Sequence, residues 1–276
     1  MITGSTRVAA VIGSPVHHSL SPALHNAAFQ QLGIDWVYVA LHVSHGDAQR
    51  AIDAMRTLAL GGMSVTMPHK EAVADAVDLL DPAAAALRSV NTVVPQLGGT
   101  LKGYSTDGAG FVASLSAAGV EVQGRTVCLL GAGGAARAIA DALGRSGASQ
   151  VSVVNRTASS AEATAALAAD VGRVGDAGDV TAADIVVNAT SVGMGTDHLP
   201  CDPSALRAGQ VVADIVYHPR DTALLRAARA AGATPVDGLG MLVHQAALQQ
   251  QLWHGLQPDV GVMTAAAERE LAARRQ

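Results

Sequence analysis

A chain that runs Thr126-Val-Cys-Leu-Leu-Gly-Ala-Gly-Gly-Ala-Ala-Arg-Ala138 has few ways to fold there. An apolar run, residues 127–130, ends at Gly131; Gly133 and Gly134 follow, and a helix-forming run covers residues 135–143. The pattern predicts a strand, a tight glycine turn and a helix. Gly131 permits the turn, Gly133 lets a pyrophosphate approach the backbone, and Ala136 takes the small-residue slot where helix and strand pack closely. The exposed N–H groups and the dipole at the helix start then face an anion. The next β-branched run, residues 150–154, leads straight into Asn155-Arg156-Thr157. An NAD site usually has an acid near this strand end to hold the ribose 2′-hydroxyl. No acid is there, and Arg156 can grip a 2′-phosphate through its planar fork. The expected cofactor is therefore NADP.

Strands and helices alternate on both sides of this turn. Before it, strands are expected over residues 7–13, 35–43 and 63–67, with helices over 22–32 and 45–60. The second helix carries Ala48, Ile52, Met55 and Ala59 on one face. Residues 90–94 and 100–104 flank Gly98-Gly99 and read as a hairpin. After the turn come a helix over 158–169, strands over 184–189, 211–217 and 234–237, and a helix over 221–231. A long helix from Gly238 through Trp253 and a last one over 258–275 close the chain. This alternation predicts an α/β protein whose middle segment is a parallel, doubly wound sheet. The expected division is residues 1–107 with 241–276 as a substrate domain, and residues 108–240 as the Rossmann NADP-binding domain.

Several polar residues in the first segment stand out against its apolar pattern. Ser21 before Pro22 reads as an N-cap, while Ser19 and Ser21 together could hold one carboxylate at a helix N-terminus. Lys70 stands at a helix start, against the dipole's preference, and is either a surface cation or a functional one. Asn91 sits in an otherwise apolar strand and needs partners if buried. Asp107 opens a helix, as a cap or as something more.

Net charge is −5, which supplies no basic field for nucleic acid. No apolar run approaches the length of a membrane span, and the first residues lack a signal-peptide core. The cysteines, Cys128 and Cys201, and the ten histidines form no metal or redox spacing. No metal is expected, and a reducing cytoplasm is the expected compartment.

Taken in order, several segments resemble the shikimate dehydrogenase family, which includes quinate-acting relatives. They are His18-Ser-Leu-Ser-Pro22, Ser64-Val-Thr-Met-Pro-His-Lys70, Ser89-Val-Asn-Thr-Val93, Ser105-Thr-Asp-Gly108, the glycine turn, Asn155-Arg-Thr157, Asn188-Ala-Thr-Ser191 and Asp237-Gly-Leu-Gly-Met-Leu-Val-His-Gln245. The resemblance spans nearly the whole chain. It implies reversible NADPH-dependent reduction of 3-dehydroshikimate, in the route to chorismate and the aromatic amino acids. The partner would be that small-molecule substrate, and the enzyme a monomer or homodimer. The C-terminal helices would return to the substrate domain.

By the same resemblance Lys70 and Asp107 would form the catalytic pair. Ser19 and Ser21 would hold the substrate carboxylate. Ser64, Thr66, Asn91, Tyr217 and Gln245 would line the rest of the substrate. Gly131, Gly133, Gly134, Ala135, Asn155, Arg156, Thr157, Thr190, Gly238 and Met241 would line the cofactor. The chemistry suits the pair: hydride addition builds charge on the ketone oxygen, an ammonium stabilises it and supplies the proton, and a carboxylate orients the ammonium. Two positions depart from the family pattern. Ser64 and Ser105 stand where asparagine is usual, and a hydroxyl lacks an amide's combined donor and acceptor. The departures leave room for a relative acting on quinate or an amino analogue of shikimate. A non-catalytic NADP-binding sensor is a further alternative, which the retained Lys70 and Asp107 oppose.

Overall fold

The computed structural model describes residues 2–274. It divides the chain into two compact units. One holds the chain through Thr106 together with the chain from Val243 onward; the other is Asp107–Leu242.

In the first unit, strands β1 (Arg7–Gly13), β2 (Trp36–His42) and β3 (Gly62–Val65) are mutually parallel, with β1 in the middle. Helices α1 (Ser21–Leu32) and α2 (Ala48–Thr57) connect them. After β3 come α3 (Lys70–Ala76), the short β4 (Leu79–Leu80) and α4 (Pro82–Leu87). The expected hairpin then forms between β5 (Thr92–Pro95) and β6 (Leu101–Tyr104). It joins antiparallel to β3 and gives a mixed sheet of order β2-β1-β3-β5-β6-β4. Helix α2 buries Ala48, Ile52 and Met55 against Ile12, Met63 and Val65. On the other side Phe29, Tyr38 and Trp253 pack over Ala9 and Val11. Gly62 is needed there, because a Cβ would stand 2.5 Å from the Trp253 indole.

The second unit begins with α5 (Asp107–Ala117). It continues as β7 (Thr126–Leu130), α6 (Gly134–Arg145), β8 (Gln150–Val154), α7 (Ala158–Ala165), β9 (Gly172–Val174), α8 (Gly178–Ala182) and β10 (Ile185–Asn188). The last elements are β11 (Val211–Asp214), α9 (Ala223–Ala230) and β12 (Thr234–Val236). All six strands are parallel, in the order β12-β11-β10-β7-β8-β9. This is the doubly wound arrangement, with its switch point between β7 and β10. The strands carry near-continuous apolar runs because helices cover both faces. Helix α10 (Gly238–His254) contains the passage back to the first unit, and α11 (Val260–Ala273) packs on α1.

Several local expectations are corrected. Ser21 is not an N-cap: Leu20 already has helical φ/ψ, so Ser21 is the first helical residue, and the Ser19 hydroxyl accepts the Ser21 N–H at 3.2 Å. The helix expected over 45–60 is shorter, because Ala59 takes φ +50° and faces solvent instead of joining the apolar face. The helix expected over 158–169 ends at Ala165, and a 3₁₀ segment with Ala169 at φ +52° turns the chain into β9, a strand outside the expected set. The strand expected to reach Tyr217 stops at Asp214, whose carboxylate accepts the Val216 N–H and bends the chain out of the sheet. The last helix ends at Ala273; Arg275, included in the expectation, lies outside the described residues.

His25 makes the fold sensitive to pH. It is fully buried on α1, stacks on Tyr38 at 4.2 Å, and its Nδ1 lies 3.0 Å from Gln250 Nε2. Burial lowers its pKa from 6.5 to about 3. The folded state thus keeps the ring neutral while the unfolded chain takes up a proton below about pH 6.5, so stability is complete above that pH and falls as pH drops toward about 3. Between about pH 7 and about pH 5, His25 should cost the fold about 2 kcal/mol. Urea unfolding of the wild type and His25→Phe at both pH values checks this: the variant should lose about that much less on acidification.

Candidate active site

In the second unit the site is built at the switch point. Chains leaving β7 and β10 run in opposite directions across the sheet, which opens a crevice at their C-terminal ends. Gly131 lies at one side of it with φ +110°, where a Cβ would stand 2.9 Å from Thr190 Cγ2 and 3.1 Å from the Ala189 carbonyl oxygen. Gly133 caps α6 and Gly134 begins it; both are exposed, and a Cβ on either would meet nothing. Ala135 follows half-buried, and Ala136 is fully buried against the sheet. An uncovered helix N-terminus above a glycine turn is therefore present, and its donors suit a pyrophosphate.

Asn155, Arg156 and Thr157 lie just beyond β8. Asn155 Nδ2 donates to the Thr157 carbonyl at 3.1 Å and tightens this turn. Arg156 is exposed and makes no ion pair among the described residues. A guanidinium held at a strand end without an acid fits a 2′-phosphate.

Thr190 is held more firmly than its loop position suggested. Its N–H and Oγ1 both donate to Asn188 Oδ1, at 3.1 and 2.7 Å, and its Oγ1 accepts the Val192 N–H at 3.0 Å. Asn188 Nδ2 donates to Asp214 Oδ1 at 2.9 Å, and Thr222 Oγ1 donates to Asp214 Oδ2 at 2.7 Å. Asp214 is buried, and burial raises its pKa. Gly238 serves packing: a Cβ would stand 2.3 Å from the Ile215 carbonyl oxygen. Met241 is half-buried against the core of this unit, and Tyr217 lies half-buried in the loop after β11. Asp107 is the half-buried first residue of α5.

In the first unit, Lys70 is the half-buried first residue of α3. The turn before it is tied down on both sides: Thr66 N–H donates to the Ile12 carbonyl, and His69 N–H to the Thr66 carbonyl. Ser64, Asn91 and Gln245 come together from β3, the loop before β5, and α10. Asn91 is buried and fully engaged, as a polar group among apolar neighbours must be. Its Oδ1 accepts Thr106 N–H at 2.9 Å and Thr92 Oγ1 at 2.7 Å; its Nδ2 donates to Thr106 Oγ1 at 2.9 Å and faces Gln245 Oε1 at 3.5 Å.

Sequence reasoning passes over three members of these networks. Tyr38 sits buried on β2, its hydroxyl 2.6 Å from Ser64 Oγ. Gln249 lies one helical turn beyond Gln245 and bonds both Gln245 and Ser64. That i, i+4 relation is readable on an expected helix. Asp214, the third, ends an apolar strand, and an acid there is a signal of the same kind as Asn91. Among the described residues no group of three or more His, Cys, Asp or Glu could hold a metal ion, and no helix is long and apolar enough to cross a membrane.

Known proteins match both units. The shikimate dehydrogenase substrate-binding domain matches residues 11–93, shikimate / quinate 5-dehydrogenase matches residues 114–196, and the shikimate 5'-dehydrogenase C-terminal domain matches residues 238–268. A shikimate dehydrogenase (NADP(+)) of Rubrobacter xylanophilus is 44% identical over 278 residues, covering 98% of each chain. Among solved structures, a shikimate dehydrogenase in complex with NADP+ aligns with a TM-score of 0.93 at 35% identity, covering 98% of this chain and 97% of that one. The shikimate 5-dehydrogenase of Thermus thermophilus, in complex with NADP(H) and shikimate, aligns with a TM-score of 0.90 at 38% identity, covering 96% and 99%. With likeness this extensive running through both units, the chain belongs to the shikimate dehydrogenase family.

Proposed function

We propose that this chain catalyses the reversible, NADPH-dependent reduction of 3-dehydroshikimate to shikimate. The carrying observation is the joint presence of the anion-ready glycine turn with its unpaired Arg156 and a full-length likeness to NADP-dependent shikimate dehydrogenases. The buried cluster of Ser64, Asn91 and Gln245 supports it. Cys128 and Cys201 are free thiols, which suits a reducing cytoplasm.

When bound, NADPH supplies the hydride. The protein's own part is to bind, orient and protonate. The N–H groups at the start of α6 and the turn at Gly131 receive the pyrophosphate, and Arg156 receives the 2′-phosphate. Thr190, locked by Asn188, gives the crevice a rigid wall. Lys70 donates a proton to the ketone oxygen as negative charge develops on it, and Asp107 orients the ammonium. Ser19 and Ser21 take the carboxylate at the start of α1, where the dipole adds attraction. Asn91, Thr66, Tyr217 and Gln245 take the ring hydroxyls. The reverse reaction uses the same groups, with Lys70 receiving the proton.

Quinate is the second substrate reading, favoured by Ser64 in place of the usual asparagine. The deciding experiment is a panel of shikimate, quinate and aminoshikimate with NADP, followed by NADPH absorbance. The highest kcat/KM should fall to shikimate; a preference for either other acid would overturn the assignment, and no turnover on all three would leave a sensor. In Lys70→Ala, kcat should drop by roughly 10²–10⁴-fold with NADP binding retained. Wild-type-like turnover would remove Lys70 from the mechanism. Arg156→Ala should weaken NADP by roughly tenfold or more while NAD changes little, read from KM for each cofactor. Equal losses would mean that Arg156 does not meet the 2′-phosphate.

A further inference from the structure

Ser64 is not left short by lacking an amide. Its buried hydroxyl accepts from Tyr38 Oη at 2.6 Å and donates to Gln249 Oε1 at 2.7 Å. Gln249 Nε2 in turn donates to Gln245 Oε1 at 2.9 Å, with its second hydrogen toward the Asn91 carbonyl at 3.4 Å. Following the hydrogens gives this chain one direction. The phenol has a single proton and spends it on Ser64. Ser64 then has only its own proton to give, and gives it to Gln249 Oε1. That contact fixes which end of the Gln249 amide faces Gln245. The oxygen of Gln245 is thereby held as the acceptor, with Asn91 Nδ2 on the same oxygen at 3.5 Å. All five residues belong to the first unit. Gln249 is 2% exposed, so water does not compete for these bonds.

An amide buried on the side of α10 that faces β3, with both ends used, has more than a filling role. We propose that Gln249 is a positioning residue for the substrate pocket. It supplies from α10 the amide function that Ser64 lacks, and it sets the Gln245 carboxamide with Nε2 as the group offered to a substrate hydroxyl oxygen. Gln249 itself does not touch substrate. The inference rests on the reading of Gln245 as a substrate-binding residue, and it names how that residue is held in the orientation that binding requires. Without Gln249 the Gln245 oxygen is left with the longer Asn91 Nδ2 contact at 3.5 Å, and the flipped form sets the amide oxygen, an acceptor, against the substrate oxygen that the Nε2 donor should meet. The lost hydrogen bond and the idle flipped fraction together should weaken binding by about tenfold.

The test is calorimetric titration of shikimate into the full chain, with kcat and KM in parallel. Gln249→Leu keeps the side-chain volume and removes all three bonds; shikimate Kd and KM should rise about tenfold with kcat changed less than about threefold. Ser64→Asn alone crowds the Gln249 amide and should also weaken binding. In Ser64→Asn/Gln249→Ala the asparagine amide occupies the space vacated from α10, and Kd should return to within about threefold of wild type. A merely structural Gln249 predicts losses that add in the double variant. Wild-type affinity in Gln249→Leu, or additive losses in the pair, would overturn the proposal while leaving the shikimate reading intact. Failure of the wild type itself to bind shikimate would overturn both.

Discussion

Where β7 and β10 lie side by side, the chain leaves each strand toward opposite ends of the sheet, and no crossover covers the gap between them. The second unit is arranged around that gap. Gly131 must bend with positive φ at its edge, and its hydrogen must point where any side chain would strike Thr190. The start of α6 is consequently left open, with its first N–H groups and the positive end of its dipole facing outward. A site for a doubly charged pyrophosphate follows from strand order and one glycine before any specific side chain is considered. In the proposed function the side chains then add selectivity: Arg156 for an extra phosphate, and a bonded Thr190 for a wall that does not give.

Both units hold their proposed binding residues with buried polar groups in otherwise apolar surroundings. In the second unit the Asp214 carboxylate accepts from Asn188, Thr222 and the Val216 N–H, and through Asn188 it orders the loop after β10. In the first unit Asn91 ties the loop before β5 to Thr106, and Gln249 ties α10 to β3. Leaving any such group unsatisfied costs on the order of 1–3 kcal/mol, so each network is held to one arrangement. A pocket that must distinguish hydroxyls on a ring needs donors and acceptors whose roles do not exchange, and bonded networks of this kind provide them.

The corrections share a physical cause. Serine before proline reads as a cap because it usually is one, yet Leu20 already adopts helical geometry and the capping contact passes to Ser19. Apolar residues carry the expected strand on toward Tyr217, yet Asp214 ends it by accepting a backbone N–H two residues on. The short β9 and the 3₁₀ segment before it arise from packing at a sheet edge, which leaves little periodicity in so few residues. In each case a single local hydrogen bond or edge contact outweighs propensity.

By itself the sequence determined the alternation of strands and helices, the glycine turn, the hairpin at Gly98-Gly99 and the polar residues out of place in apolar runs. Those features are local, since they follow from side-chain period, backbone freedom and the need of a buried polar group for a partner. Tertiary structure alone decided which partners those groups find. Strand order set Gly131 against Thr190, 59 positions apart in the chain. The return of α10 set Gln249 against Ser64, 185 positions apart. Local pattern carries no information about such pairings, because which distant segment packs beside a strand depends on how the whole unit buries its apolar faces.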